Sequence, residues 1–143
     1  MARATALSHL ADVFASRLNE LIEMISLENG KLKSEATYEV TYTVRSLRFA
    51  AGLAMQIFGR VLDPTPGKQS MCIRQPAGVA GLMIPWNSPG YLTIRALAPA
   101  MASGWPGSLT TDAQAGPKLS VFSKCFGSAW RSSVWNYMRK RRG

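Results

Sequence analysis

The chain has 143 residues, 47% of them hydrophobic, which suits one domain with a core and is too short for a large two-domain enzyme. No apolar run could span a bilayer, and no secretory signal is evident at the N-terminus, so a cytoplasmic location is the expectation. Two cysteines and a single histidine, His9, argue against a disulfide framework and a Cys/His zinc site.

The net charge of +9 is concentrated near the C-terminus. Residues 1–107 contain ten Lys or Arg and seven Asp or Glu, whereas residues 108–143 contain seven basic residues and one acid. Four of the basic residues form the cluster Arg139–Arg142. Such a cluster can bind phosphate nonspecifically, but a solvated tail is the simpler interpretation, and nucleic acid is not an expected partner.

Two amphipathic helices are predicted in the N-terminal half. The first spans residues 5–28 and ends at Asn29-Gly30, because glycine readily adopts the left-handed conformation that ends helices. The second runs from about Ser34 to about Phe58, where Gly59 closes it, so an antiparallel helical hairpin is expected. The predicted buried stripes are Leu7, Leu10, Phe14, Leu18, Leu21, Ile22 and Ile25, and then Val40, Val44, Leu47, Ala51, Ala54 and Phe58.

A short β segment and a strand–helix unit follow the hairpin. Residues 63–67 form a predicted turn, and the alternating pattern of Gln69–Gln75 predicts a half-buried strand. Val79–Ile84 is predicted as a buried strand, and Tyr91–Ser103 as a helix that Pro99 would kink. Proteins of the α/β class place their chemistry where a strand ends in a turn and a helix begins.

Beyond Gly104 the hydrophobic periodicity typical of helices and strands is lost. A parallel strand cannot bury both faces alone, yet residues 105–117 show no second hydrophobic strand. We therefore expect the strand to be missing and the isolated chain to be only marginally stable. Residues 118–138 give a weak helical pattern. The predicted division is a domain segment at 1–104 and a divergent basic tail at 105–143, for which disorder is one interpretation.

The turn after the predicted buried strand carries one polar amide, that of Asn87. An asparagine just past the carboxyl end of a strand is placed to direct its amide into a cleft. The alternative is that Asn87 is an ordinary turn residue between Pro85 and Pro89.

Four segments in the same order resemble the aldehyde dehydrogenase superfamily, and the resemblance covers roughly residues 3–104. In the third segment, Ser88 stands where Phe or Tyr is commoner. The segments are Leu27–Lys31, Arg74–Gly81, Ile84–Pro89 and Ala96–Gly104.

The resemblance implies an α/β fold: the helical hairpin, a short β extension, and the first strand–helix unit of an incomplete Rossmann-like nucleotide-binding domain. It implies that a cysteine thiolate adds to an aldehyde, that hydride then passes to NAD or NADP, and that a glutamate acts as general base when water hydrolyses the resulting thioester. Asn87 would donate its amide to the developing oxyanion, a contribution of ~2.7–4 kcal/mol per donor. Ile84, Pro85 and Trp86 would line the cofactor pocket. A homo- or hetero-oligomer is a possible assembly.

Other parts of the family's site have no counterpart in the sequence. Thr110 or Thr111 stands where the family has a lysine, and neither the nucleophilic cysteine nor the general-base glutamate is found. Cys125 lacks the nucleophile's sequence context, and both Cys125 and Cys72 are interpreted as packing residues.

These gaps predict a truncated family member that is inactive alone. A non-catalytic fragment that associates with full-length relatives is the alternative hypothesis. A basic-surface binder acting through the Arg139–Arg142 cluster is a third.

Overall fold

The computed structural model describes residues 2–62, 66–75, 78–104 and 107–111; for the last range it describes the backbone alone. The protein is a helix-rich mixture of α and β structure, in agreement with the predicted α/β class. Its elements in chain order are α1 (Ala2–Ser16), α2 (Leu18–Asn29), α3 (Lys33–Leu53), β1 (Arg60–Val61), β2 (Met71–Cys72), β3 (Ala80–Ile84), α4 (Pro89–Ser103) and β4 (Gly107–Thr111).

The N-terminal hairpin is present, but its first arm is two helices rather than one. Arg17 interrupts the helix with φ −108° and ψ 21°. Just before it, the Ser16 hydroxyl donates a hydrogen bond to the Val13 carbonyl at 2.9 Å. A serine that bonds back to its own helix competes with the backbone ladder and bends helices. Both α1 and α2 pack against α3, so the bend follows the surface of the second arm.

The two ends of α3 differ in how well the sequence predicted them. Gly30, with φ 67°, ends α2 as expected, and α3 begins at Lys33, next to the predicted start. The predicted end near Phe58 is wrong, because α3 stops at Leu53 and Phe58 is 69% exposed. After Leu53 the chain forms a 3₁₀-type turn, in which the Gln56 N–H donates to the Leu53 carbonyl three residues earlier. Gly59 therefore does not close the helix.

A single apolar core lies between the helices. The stripes predicted for the hairpin are buried there, apart from the partly buried Leu18 and the exposed Phe58. The remaining side chains come from helix α4 and from Ala11, Ala36 and Ala50 of the hairpin. The core residues are Leu7, Leu10, Ala11, Phe14, Leu21, Ile22, Ile25, Ala36, Val40, Val44, Leu47, Ala50, Ala51, Ala54, Ile94, Leu97, Ala98, Met101 and Ala102.

Strands β1 and β2 form a two-residue antiparallel ladder, which is the predicted short β extension. The expectation that Gln69–Gln75 is half-buried is wrong, because Met71 and Ile73 are 62% and 71% exposed. Cys72 is exposed as well, so its predicted packing role is also wrong. The reason is that the described part of the chain covers neither face of this ladder.

The strand expected to be missing is present. β4 pairs with β3 in parallel, with Ala80 opposite Gly107 and Ile84 opposite Thr111. Parallel pairing needs only backbone N–H and C=O groups, which every residue except proline supplies, so a strand with little hydrophobic content can still pair. The prediction of an absent partner strand failed because it relied on hydrophobicity alone.

Among the described residues, only one face of strand β3 is covered. Ile84 is buried and Leu82 packs against the core, whereas Met83, on the opposite face, is 88% exposed. Val79 is exposed and lies outside the strand. The prediction of a buried strand is therefore right for the face towards α4 and wrong for the other.

Helix α4 joins the two parallel strands. It begins at Pro89, slightly before the predicted Tyr91, and continues through Pro99 to Ser103. No described helix is long and apolar enough to cross a membrane. The helix predicted at 118–138, with Cys125, lies outside the described residues, as does the basic cluster Arg139–Arg142.

Candidate functional site

The loop of residues 85–88, here called the Pro-Trp-Asn loop, lies between the carboxyl end of β3 and the start of α4. Because Ile84 pairs with Thr111, both parallel strands end at this edge. Crevices at the carboxyl ends of parallel strands are where open α/β sheets bind ligands. Ile84 is buried, whereas Pro85 is exposed and Trp86 is 52% exposed.

Asn87 is exposed at the turn of this loop. Its side-chain amide makes no hydrogen bond to any residue in the described ranges. An asparagine side chain carries two N–H donors and one acceptor oxygen. No described residue occupies these two donors.

A carboxylate from the helical hairpin caps the start of α4. Ser88 occupies the N-cap position, yet its side chain makes no capping bond to the helix. Instead, Oε1 of Glu39 accepts hydrogen bonds from the backbone N–H groups of Gly90 at 2.9 Å and Tyr91 at 3.2 Å. The first N–H groups of a helix have no partner within it, and the positive end of the helix dipole favours an anion there.

Glu39 is only 6% exposed, and a cation pairs with it. The Lys31 ammonium contacts the other carboxylate oxygen, Oε2, and donates to the Ser88 hydroxyl at 2.9 Å. Burying a carboxylate is costly unless it is paired and hydrogen-bonded, and Glu39 receives three donors. One buried charge thus connects α3, the hairpin turn and α4.

Asn29, the last residue of α2, contacts the loop directly. Its Nδ2 donates to the Trp86 carbonyl at 3.0 Å and lies 3.5 Å from the Asn87 carbonyl. The hairpin turn is itself fixed by the Ser26 hydroxyl, which donates to the Lys31 carbonyl at 2.8 Å. Two of the segments singled out in the sequence, Leu27–Lys31 and Ile84–Pro89, therefore meet in space.

A groove of about 660 Å³ opens beside the loop, between α3 and α4. A second groove of about 470 Å³ follows the same helices and shares Tyr42 and Tyr91 with it. These two rings meet edge to face, with centroids 4.9 Å apart. The first groove is lined by Lys31, Ser34, Glu35, Tyr38, Glu39, Tyr42, Ser88 and Tyr91.

The other candidate side chains lie elsewhere. His9 is exposed on α1, and Cys72 is exposed on β2. The described residues contain no cluster of His, Cys, Asp or Glu that could hold a metal ion.

Glu39 falls within the helix predicted from about Ser34 to about Phe58, but no sequence pattern connected it with the loop. In the structure Glu39 shares a helix face with Ala36 and Thr43, which are both fully buried. The apolar stripe predicted from the sequence included neither residue, so no sequence pattern indicated that Glu39 is buried.

The fold and loop define a mixed α/β protein with a polar turn where two parallel strands end. Residues 1–107 match the model of the Aldehyde dehydrogenase family. The chain is 36% identical to an aldehyde dehydrogenase of Davidiella tassiana over 102 residues, 71% of this chain and 21% of the relative. It is 34% identical to the succinate-semialdehyde dehydrogenase [NADP(+)] of Saccharomyces cerevisiae over 113 residues, 78% of this chain and 23% of the relative.

A solved structure of an NAD-dependent benzaldehyde dehydrogenase from Corynebacterium glutamicum superimposes with a TM-score of 0.81 and 27% identity. The superposition covers 89% of this chain and 28% of the other. The chain belongs to the aldehyde dehydrogenase family. It spans about a fifth of the length of the curated relatives that it matches.

Proposed function

We propose that this chain supplies the oxyanion-binding part of an NAD(P)-dependent aldehyde dehydrogenase, with Asn87 as the amide donor. The observation that carries the proposal is the exposed Asn87 amide, which has no partner among the described residues and follows the end of a parallel strand. When a thiolate adds to an aldehyde, negative charge develops on the carbonyl oxygen. A fixed N–H donor stabilises that charge more than it stabilises the neutral aldehyde.

We infer that β3, α4 and β4 form the first strand–helix–strand unit of a Rossmann-like domain for NAD or NADP. Ile84, Pro85 and Trp86 would contact the cofactor, with Ile84 acting through its backbone because its side chain is buried. The exposed Trp86 ring offers a flat apolar surface at the same edge. The cofactor, when bound, accepts the hydride.

The groove beside the loop suggests the class of aldehyde. Tyr38, Tyr42 and Tyr91 line it, and Ser88 connects it to the position of Asn87. Aromatic rings pack against one another in offset or edge-to-face geometry, so a further ring can lie beside this pair. An aromatic aldehyde therefore fits this surface better than a short aliphatic one.

We further propose that these 143 residues do not oxidise aldehydes by themselves. Neither Cys72 nor Cys125 stands in the sequence context of the family's nucleophile, and Cys72 is exposed on β2, outside the loop. Asn87 then needs a nucleophile supplied by another part of a complete enzyme.

A chimera tests the proposed function. Residues 2–104 of this chain replace the corresponding segment of the yeast relative, which then supplies the remainder of the domain. We expect NAD(P)H formation from aromatic aldehydes by the chimera and none by the 143-residue chain. A chimera that folds and binds cofactor but forms no NAD(P)H would contradict the proposal, as would turnover by the chain alone that Asn87→Ala abolishes.

A further inference from the structure

The Pro-Trp-Asn loop is held by the helical hairpin rather than by its own residues. Ser88, the residue best placed to cap α4, instead receives a hydrogen bond from Lys31, 57 positions earlier in the sequence. The helix start is capped by Glu39, and the loop carbonyls are contacted by Asn29. The conformation of the loop therefore depends on residues far away in the sequence.

The two carbonyls near Asn29 belong to the peptide groups on either side of the Asn87 Cα atom. The Trp86 carbonyl lies in the peptide before it, and the Asn87 carbonyl lies in the peptide after it. The orientations of these two peptide planes define φ and ψ of Asn87. They also set the direction of its Cα–Cβ bond, so contacts from Asn29 restrict where the Asn87 side chain points.

Glu39 fixes the other end of the same loop. Its carboxylate holds the N–H groups of Gly90 and Tyr91, while Lys31 joins that carboxylate to the Ser88 hydroxyl. Charge-assisted hydrogen bonds of this kind are shorter and stronger than neutral ones. The loop is thus held on both sides of Asn87.

We propose that Asn29 and Glu39 are positioning residues that direct the Asn87 amide, an inference that rests on the proposed oxyanion role of Asn87. Neither residue touches the reacting atoms in this proposal. Their effect is to hold the donor in one orientation before the charge develops, so that no reorganisation is needed at that moment.

The test uses the full 143-residue chain labelled with ¹⁵N and measures motion at Asn87. Asn29→Asp keeps the size of the side chain and removes its N–H donors. Asn19→Asp, at an exposed position of the same helix, is the matched control. Backbone order parameters of about 0.85 report a rigid backbone, and values below about 0.6 a flexible one. We expect the backbone order parameter of Asn87 to fall from the rigid range towards the flexible range in Asn29→Asp. It should stay unchanged in Asn19→Asp.

Glu39→Gln provides a second variant, with Glu35→Gln on the same helix as its control. We expect faster hydrogen exchange of the Gly90 and Tyr91 amides and greater motion of Asn87 in Glu39→Gln. The loss of protection at Gly90 and Tyr91 should exceed any loss at the amide of Leu47, in the core of α3, whereas a merely structural role would lower all three equally.

The proposal is overturned if the Asn87 order parameter in Asn29→Asp equals that of the wild type. Equal losses of protection at Gly90, Tyr91 and Leu47 in Glu39→Gln would overturn the role proposed for Glu39. No readout depends on turnover, so failure here is distinguishable from failure of the proposed catalytic role, which is measured by activity.

Discussion

An oxygen of the Glu39 carboxylate lies 2.9 Å from the backbone nitrogen of Gly90, although the two residues are 51 positions apart in the sequence. This contact joins the second arm of the helical hairpin to the helix that follows the Pro-Trp-Asn loop. Since the carboxylate also pairs with Lys31, one buried charge determines how three segments meet.

Removal of Glu39 is expected to be costly to stability. Glu39→Ala leaves the Lys31 ammonium and two N–H groups without their acceptor, and breaking a buried pair costs about 3–5 kcal/mol. Glu35→Ala, on the exposed part of the same helix, removes a single hydrogen bond to the Leu32 N–H and should cost about 0.5–1.5 kcal/mol. Urea denaturation followed by circular dichroism measures both. Equal losses would show that Glu39 is not a structural anchor.

Two glycines should respond to alanine in opposite directions. Gly30 has φ 67°, a left-handed conformation that costs an L-residue about 1–2 kcal/mol. Gly52 lies in helix α3 with nothing within 4 Å of an added Cβ, so alanine should stabilise there by about 0.5–1 kcal/mol. Thermal unfolding shows whether Tm falls for Gly30→Ala and rises for Gly52→Ala. Destabilisation by Gly52→Ala would contradict the described course of α3.

The two phenylalanines of the hairpin separate the core from the surface. Phe14 is fully buried, and Phe14→Ala should lower the free energy of unfolding by about 3–5 kcal/mol. Phe49 is 70% exposed, and Phe49→Ala should change it by about 0.5 kcal/mol or less. Denaturant titration of the pair gives the comparison. A large loss at Phe49 would mean that another surface covers it in solution.

The hairpin could be predicted from the sequence because its information is local. Apolar residues recur at helical spacing, and Gly30 ends the first arm where the sequence indicates. The bend at Arg17 could not be predicted in the same way, because hydrophobic spacing continues across it. Nor could β4, since parallel pairing between Ile84 and Thr111 uses backbone groups that carry no sequence pattern.

The candidate site was predicted in part. The position of Asn87 after a strand followed from the sequence, but the contacts of Glu39 and Asn29 with the loop did not. These contacts connect residues more than 50 positions apart, and a charged residue on a helix is ordinarily read as solvated. The predicted apolar stripe did not include Ala36 and Thr43, the buried residues on the same face as Glu39, so the sequence did not indicate its burial.

The groove between α3 and α4 predicts a preference among aldehydes. In the chimera with the yeast relative, Tyr91→Ala should lower kcat/KM for benzaldehyde by about 2- to 10-fold, since an aromatic pair contributes beyond its area. The same change should have less effect on a short aliphatic aldehyde. Phe58→Ala, which removes an exposed ring that lines neither groove, is the control. Equal losses for both aldehydes would argue against substrate contact.

The catalytic role of Asn87 is the central claim, and kcat of the chimera measures it most directly. Asn87→Asp keeps the shape of the side chain and removes its N–H donors, so kcat should fall by about 10²–10³ with little change in cofactor binding. Asn19→Asp should leave kcat unchanged. If Asn87→Asp retains the kcat of the parent chimera while Asn19→Asp behaves as expected, Asn87 is a turn residue and not the oxyanion donor.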